Sequence, residues 1–227
     1  MFSTDKDTVF PLQAALGYDI TQTLFVGRHA LLVEGSSDFV YLKWFSLELR
    51  ARKREFLDPR WTITPSGGID KMGSFMALFG GNKLHVAVLT DFHEGMKKKV
   101  RALKESDLLR KGHVFSAEMY ADQDEADVED MLGRSFYVEL VNHCYVLDKR
   151  HELPKIAPPT APARVVKEVE EHFASLPPAD QEFDHLATAL FLLENTVELR
   201  ESLPELDQAL DRFERLFKDL NGLMAEW

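Results

Sequence analysis

The amino-acid sequence predicts an α/β fold, in which a parallel sheet is flanked by helices and followed by a C-terminal helical subdomain. Up to Tyr120, short apolar runs typical of buried strands alternate with segments of helical periodicity. Beyond Tyr120 only helical patterns remain. The chain has 227 residues, of which 45% are hydrophobic, so it can bury a sizeable core.

The composition excludes several classes of protein. A net charge of -11 argues against a protein that holds nucleic acid by bulk electrostatics. The single cysteine, Cys144, rules out an internal disulfide and a Cys-rich zinc site. No apolar run reaches the roughly 18 residues of a membrane span, and the N-terminus lacks the pattern of a signal peptide. We therefore expect a cytoplasmic protein without membrane contact, or a piece of one.

The predicted strands are short apolar runs at residues 29–34, 61–65, 84–91 and 113–120. The predicted helices have apolar residues at helical spacing and are bounded by polar residues, glycine or proline. They cover a short segment within 11–18, then 37–52, 69–79, 96–109, 135–147, 163–175, 183–200 and 204–224. A Pro-rich linker lies at 153–162. This order divides the chain into a lead-in (1–28), an α/β domain (29–150) and a helical subdomain (151–227).

Two of the predicted strands end in an acidic residue. Glu34 ends the first strand and Asp91 the third, while Asp38 lies in the first turn of the helix after Glu34. Because the carboxyl ends of parallel strands share one edge, we expect these side chains to face the crevice where open α/β sheets bind ligands. Carboxylate oxygens there suit a divalent cation. The alternative is an N-cap beside a solvated acid.

A third acidic cluster follows the fourth predicted strand, in the run 122–130. It contains Asp127, Glu129 and Asp130. Such a run is usually a solvated face, and Asp130 is also placed to cap the helix that begins there. The order of the three clusters along a short α/β sheet nevertheless makes all of them candidates for one site.

These motifs resemble those of a known domain. Glu-Gly-x-x-Asp after the first strand, a strand ending in Asp91 and a later Glu129-Asp130 pair are similar to the Toprim domain of primases, topoisomerases and certain nucleases. Longer blocks resemble the C-terminal Toprim nuclease region of the OLD (overcoming lysogenization defect) family. These blocks are PLQAALGY at 11–18, LVEGSSD at 32–38, PSGGIDK at 65–71, LTDFHEG at 89–95 and ADVEDM at 126–131. They cover most of residues 11–145.

The OLD resemblance implies a Toprim fold and a metal-dependent endonuclease that acts on DNA. Members of that family pair this region with an ATPase domain. The present sequence lacks a Gly-x-x-x-x-Gly-Lys-Ser/Thr loop and cannot supply that ATPase itself. We therefore expect either a fragment of a longer protein or a chain that works with an ATPase in trans, and we favour the fragment.

The same resemblance implies a two-metal site for Mg²⁺ or Mn²⁺, in which paired ions stabilise the entering and leaving oxygens. Its expected ligands are Glu34, Asp38, Asp91, His93, Asp127 and Glu129, with Glu34, Asp38, Asp91 and Glu129 central to catalysis. His93 stands where the Toprim pattern has an acid. It either ligates Mn²⁺ or a related ion, or it only positions water or phosphate.

Basic residues are the other expected part of a nuclease site. The candidates to neutralise the transition state are Arg164 and Lys167, followed by Lys155 and Lys71; a solvated helix face is the alternative for Arg164 and Lys167. DNA phosphates are expected to contact the basic helix after Asp91, at Lys97, Lys98, Arg101 and Lys104, which are otherwise a solvated face. The turn 66–68 either offers backbone N–H groups to a phosphate or is a plain strand-to-helix turn.

Other functions stay open at the level of sequence. A Toprim enzyme that processes RNA or primes synthesis is one alternative. A catalytically silent Toprim module is another, and His93 in place of an acid favours it. The apolar positions of the last helix are expected to be core, with a homodimer surface as the alternative.

Overall fold

The computed structural model describes residues 28–81, 84–107, 109, 113–147, 149, 151–176 and 182–226. The helix predicted within 11–18 lies outside the described residues. Four strands form an all-parallel sheet in the order β2-β1-β3-β4. They are β1 (His29–Val33), β2 (Trp61–Pro65), β3 (His85–Thr90) and β4 (Val114–Ser116). The predicted α/β class is therefore confirmed.

The helices are numbered in chain order. They are α1 (Ser36–Ala51), α2 (Ile69–Gly81), α3 (Lys97–Lys104), α4 (Glu118–Ala121), α5 (Arg134–Tyr145), α6 (Val165–Ser175), α7 (His185–Glu194), α8 (Thr196–Ser202) and α9 (Leu206–Gly222). Three 3-10 helices accompany them, at Glu94–Met96, Val128–Leu132 and Leu223–Glu226. Among these described helices, none is long and apolar enough to cross a bilayer.

The sheet is buried on both faces, because successive side chains of a strand point to opposite sides. In β1, Leu31 and Val33 join one apolar cluster, and Ala30 and Leu32 join the other. The second, smaller cluster contains side chains of α2 and α3. This explains why the strands of the sequence read as continuous apolar runs.

The larger cluster lies between the sheet and the remaining long helices. Phe45 of α1 stacks on Phe213 of α9, with ring centroids 3.9 Å apart. Buried side chains of α5, α6 and α7 belong to the same cluster. The predicted α/β domain and helical subdomain thus share one apolar core.

Three predicted elements are wrong in extent. The helix predicted over 96–109 is shorter, because α3 covers only Lys97–Lys104. The helix predicted over 183–200 is two helices, because Asn195 and Thr196 bond their side chains to backbone carbonyls of α7 and interrupt it. The strand predicted over 113–120 ends at Ser116, and α4 begins at Glu118. The buried Tyr120 there donates its hydroxyl to Asp219 of α9.

Strand order decides where a ligand would bind. From β1 the chain moves to β2 on one side and then returns past β1 to β3 on the other. In an open parallel sheet, the crevice at the carboxyl ends of two such strands is the usual binding position. Glu34 and Asp91 follow directly after β1 and β3.

Candidate functional site at the carboxyl ends of β1 and β3

Glu34 is held in place by three groups from two other segments. Its Oε1 accepts hydrogen bonds from the Thr90 hydroxyl and from the Asp91 N–H, the latter at 3.1 Å. Its Oε2 accepts from the Ile69 N–H at 3.2 Å. The carboxylate of Glu34 therefore links the end of β1 by hydrogen bonds to the end of β3 and to the start of α2.

Asp38 is buried in the first turn of α1, with 4% of its surface exposed. The N-cap of this helix is Gly35, which has no side chain to satisfy the first N–H groups. Asp38 Oδ2 accepts the Gly35 N–H at 2.8 Å. The local turn thereby orients this carboxylate at the strand end, beside Glu34.

The third acidic cluster is joined to Asp91 through the backbone. Phe92 and Ala126 form an isolated antiparallel bridge, and Asp91 Oδ1 accepts the Val128 N–H at 3.0 Å. These contacts bring the 3-10 helix Val128–Leu132 to the end of β3, and with it Glu129, which is 3% exposed. The three acidic clusters, which are separate in the sequence, are therefore close together in the fold.

Asp127 and Asp130 connect this 3-10 helix to the start of α6. Both carboxylate oxygens of Asp127 accept from Arg164 Nη1, at 2.8 and 3.0 Å. Asp130 accepts the Asp127 N–H at 2.8 Å and the Val165 N–H at 2.9 Å. The N-cap of this 3-10 helix is Asp127 rather than Asp130, which completes a capping box as the third residue of the helix. Arg164 is a neighbour of the acids rather than a residue of a solvated face.

A cavity of about 780 Å³ lies between these elements. One side, the acidic wall, is formed by carboxylates of the α/β region: Glu34, Asp38, Asp91, Asp127 and Glu129. The other side, the helical wall, comes from the later part of the chain: Arg164, Val166, Glu170, Asp184, His185 and Leu186. The cavity is therefore built jointly by the two regions that the sequence distinguishes.

Crowding and burial disfavour the charged form of these acids. Burial, with the charges of Glu129 and Glu34, raises the pKa of Asp38 to about 8. Burial, with the charges of Asp38 and Asp127, holds the pKa of Asp91 well above its usual range. Burial also raises the pKa of Asp127, although the Arg164 guanidinium opposes that shift. A cation placed among these carboxylates would relieve their repulsion.

Sequence reasoning missed two residues of the site. Thr90 is buried and donates to Glu34, but its only sequence feature is its place before Asp91. His185 opens α7 after the capping residue Asp184 and lines the cavity. The Glu129 carboxylate raises the pKa of His185 to about 9. No spacing in the sequence links His185 to residues more than fifty positions away.

Several predicted site residues do not line this cavity. His93 is partly exposed and stands at the N-cap position of the short helix Glu94–Met96, without a side-chain cap hydrogen bond. Lys167 lies half-exposed on α6, with Nζ 3.9 Å from Glu171. In the turn 66–68, the N–H groups of Gly67 and Gly68 both donate to the Glu34 carbonyl, which favours a plain turn over a phosphate cradle.

The basic helix α3 is partly neutralised by neighbouring acids. Lys97 lies 3.5 Å from Glu94, and Arg101 lies 2.8 Å from Glu105. Lys98 and Lys104 are exposed. The four residues predicted to contact DNA are thus on the surface, but two of them already have acidic partners.

The carboxylate chemistry of the acidic wall fits a hard divalent cation. In the ranges that the structure describes, however, no three His, Cys, Asp or Glu side chains are grouped closely enough to hold a metal ion. Backbone N–H groups and Arg164 hold several of the oxygens instead. Side-chain adjustment around an ion is therefore part of any metal-bound state of this site.

Comparison with known proteins adds no assignment. No protein-family model matches the chain, and no curated protein or solved structure matches it.

Proposed function

We propose that this chain is a metal-dependent endonuclease that hydrolyses phosphodiester bonds in DNA with Mg²⁺ or Mn²⁺. The observation that carries the proposal is the acidic wall: five carboxylates surround one cavity, and burial and mutual repulsion raise the pKa values of Asp38, Asp91 and Asp127. Perturbed carboxylates in a cleft are typical of functional sites. The resemblance of the same residues to the Toprim region of the OLD family supports this choice of reaction.

The chemistry assigns a role to each part of the cavity. Phosphodiester hydrolysis places negative charge on the attacking water, the phosphoryl oxygens and the leaving oxygen, and paired cations stabilise that charge. Glu34, Asp38 and Asp91 would hold one ion, and Asp127 and Glu129 would contribute to a second. Arg164 pairs with Asp127, and it would be available to a phosphate oxygen if an ion took its place beside that carboxylate.

The substrate and partners follow from the charge of the molecule. A net charge of -11 means that DNA approaches only where ions or local cations offset it. DNA binding is therefore proposed to require the divalent ion, with the exposed Lys98 and Lys104 of α3 as outlying contacts. An ATPase domain, in the same longer protein or in trans, is the proposed partner.

Replacing Asp91 with Asn tests this proposal. Asp91→Asn keeps the shape of the side chain but removes its charge, so we expect loss of supercoiled-plasmid nicking by at least about 100-fold. It should also weaken Mn²⁺ binding measured by calorimetry. Asp207→Asn is the matched control, because Asp207 is an exposed acid in the first turn of α9 and should leave both unchanged.

Two outcomes would contradict the nuclease. A folded wild-type chain that binds no Mn²⁺ would indicate a silent interaction module. A chain that binds Mn²⁺ and cleaves RNA but not DNA would indicate the RNA-processing alternative.

A further inference from the structure

The helical wall brings one histidine to the acids. His185 is the first residue of α7, directly after Asp184, whose side chain accepts the Leu186 N–H at 2.9 Å. The His185 side chain is 42% exposed and lines the cavity. The cap fixes where the helix begins and therefore fixes the position of the imidazole.

The two nitrogens of the His185 ring have different surroundings. Nε2 lies 3.2 Å from Glu170 Oε1, within hydrogen-bond distance. Nδ1 lies 3.7 Å from Glu129 Oε1, which is an ion-pair contact but too long for a hydrogen bond. The ring is thus hydrogen-bonded at one edge to α6, while its other edge faces Glu129 of the acidic wall.

The other cations of the region are either hydrogen-bonded to an acid of the acidic wall or absent from the cavity lining. Arg164 Nη1 bonds both oxygens of Asp127. Lys167 is half-exposed beside Glu171, and Lys155 is mostly exposed beside Glu139. Among the described side chains of the cavity lining, Arg164 is hydrogen-bonded to an acid of the acidic wall, whereas the His185 ring faces that wall beyond hydrogen-bond distance.

We propose that His185, with a hydrogen on both ring nitrogens, contacts the substrate directly: Nε2–H stays on Glu170 and Nδ1–H is donated to a phosphate oxygen of the strand being cleaved. This inference rests on the proposed nuclease function and assigns a contact within it. When cations occupy Glu129 and its neighbours, a phosphate drawn to them lies against the opposite wall, where His185 is held by Glu170. Its donor is oriented before substrate arrives, so the contact costs little reorganisation.

A purely structural role is the competing explanation. His185 could serve only to pin α7 between Glu129 and Glu170, in which case its loss would lower stability and not the chemical step. The two roles can be distinguished by experiment. Loss of a hydrogen-bond donor to the transition state lowers kcat, whereas loss of a structural contact lowers the melting temperature.

Three variants of the full chain test the contact, each assayed for oligonucleotide cleavage, Mn²⁺ affinity and melting temperature. His185→Ala should lower kcat about 100-fold, the usual effect of removing one such donor, with Mn²⁺ affinity changed less than threefold. His185→Asn retains an N–H donor near the Nδ1 position and should recover at least tenfold of that loss. His143→Ala is the matched control, because His143 also lies beside an acid, Glu139, but outside the cavity lining.

The possible results overturn different statements. If His185→Ala keeps the wild-type kcat, or if His185→Asn recovers nothing while both variants melt as the wild type does, His185 is not a substrate contact. If His185→Ala loses activity only in proportion to the loss of folded protein, the purely structural role is correct. If the wild type neither binds Mn²⁺ nor cleaves, the nuclease proposal fails before this one is reached.

Discussion

At the scale of single residues, the site is a balance between buried negative charge and the groups that hold it. Asp38 and Asp130 illustrate this balance, because burial raises their pKa values to about 8 and about 7. Each accepts backbone N–H groups that favour the charged form, but burial outweighs them. Without cations, these acids oppose folding when they ionise.

The stability of the metal-free protein should therefore fall as pH rises from 6 to 9. An acid whose pKa is raised on folding contributes stability that is complete below its ordinary pKa and is lost as pH passes the folded value. We expect the melting temperature in EDTA to drop by at least about 4 °C, the shift that 1–2 kcal/mol gives in a domain of this size. Added Mn²⁺ should remove the drop.

The variant Asp38→Asn separates this effect from others. It should flatten the pH dependence in EDTA, because one of the carboxylates that ionises in this range is gone. A melting temperature that rises with pH in EDTA would show that the raised pKa values are wrong.

Single residues also show how much of the candidate site could be predicted from the sequence. Glu34, Asp38 and Asp91 could be identified because each stands at the end or start of a recognisable element. Arg164 and Asp127 were both recognised as candidates, but the sequence did not show that they pair with each other. Thr90 and His185 could not be found, because their contacts depend on chain crossings that no local pattern encodes.

At the scale of elements, the acidic 3-10 helix Val128–Leu132 is positioned by its two ends. Its start is tied to Asp91, and its end passes into α5 through Gly133, whose φ of +90° is strained for other residues. The boundaries that the sequence missed, at Ser116 and Asn195, are places where tertiary contacts or side-chain hydrogen bonds override local periodicity. The strands β1 and β3 were predictable because burial on both faces leaves a continuous apolar run.

Replacing Gly133 with Ala tests how this junction is held. A Cβ at that position would lie 2.9 Å from Glu205 Oε2 and 3.2 Å from Arg212 Nη1, in a backbone conformation unfavourable for alanine. We expect a loss of about 1–3 kcal/mol in the free energy of unfolding, measured by urea denaturation.

Gly73→Ala is the control for that experiment. Gly73 lies in α2, and a Cβ there meets nothing within 4 Å. Alanine should stabilise the helix by about 0.5–1 kcal/mol. Equal effects of the two substitutions would show that the Gly133 conformation is not a constraint.

At the scale of the whole molecule, one core joins what the sequence divides. Trp44 and Phe45 of α1 are buried in the same cluster as Leu192 of α7 and Phe213 and Phe217 of α9. A second connection is ionic, since the buried Glu48 of α1 pairs with Arg52 and with Arg200 of α8. The sequence showed that only helical patterns follow Tyr120. It could not show that the later helices α7 and α9 pack on α1.

A chain that stops at residue 150 should therefore not fold cooperatively. It would expose the face of α1 that α7 and α9 cover, so we expect a broad thermal transition, weak near-ultraviolet dichroism and strong binding of a hydrophobic dye. A sharp transition with native-like near-ultraviolet dichroism would instead support an α/β domain, 29–150, that is independent of the helical subdomain.

The residues of the two cavity walls are also synthesised at different times during translation. The acidic wall is complete once Glu129 has left the ribosome, whereas the helical wall waits for Arg164 and His185. A nascent chain therefore carries the acids of the site before it carries the residues that face them, and before the helices that bury them. In the proposed nuclease, the two cavity side chains assigned to phosphate, Arg164 and His185, are therefore synthesised after all of the proposed metal ligands.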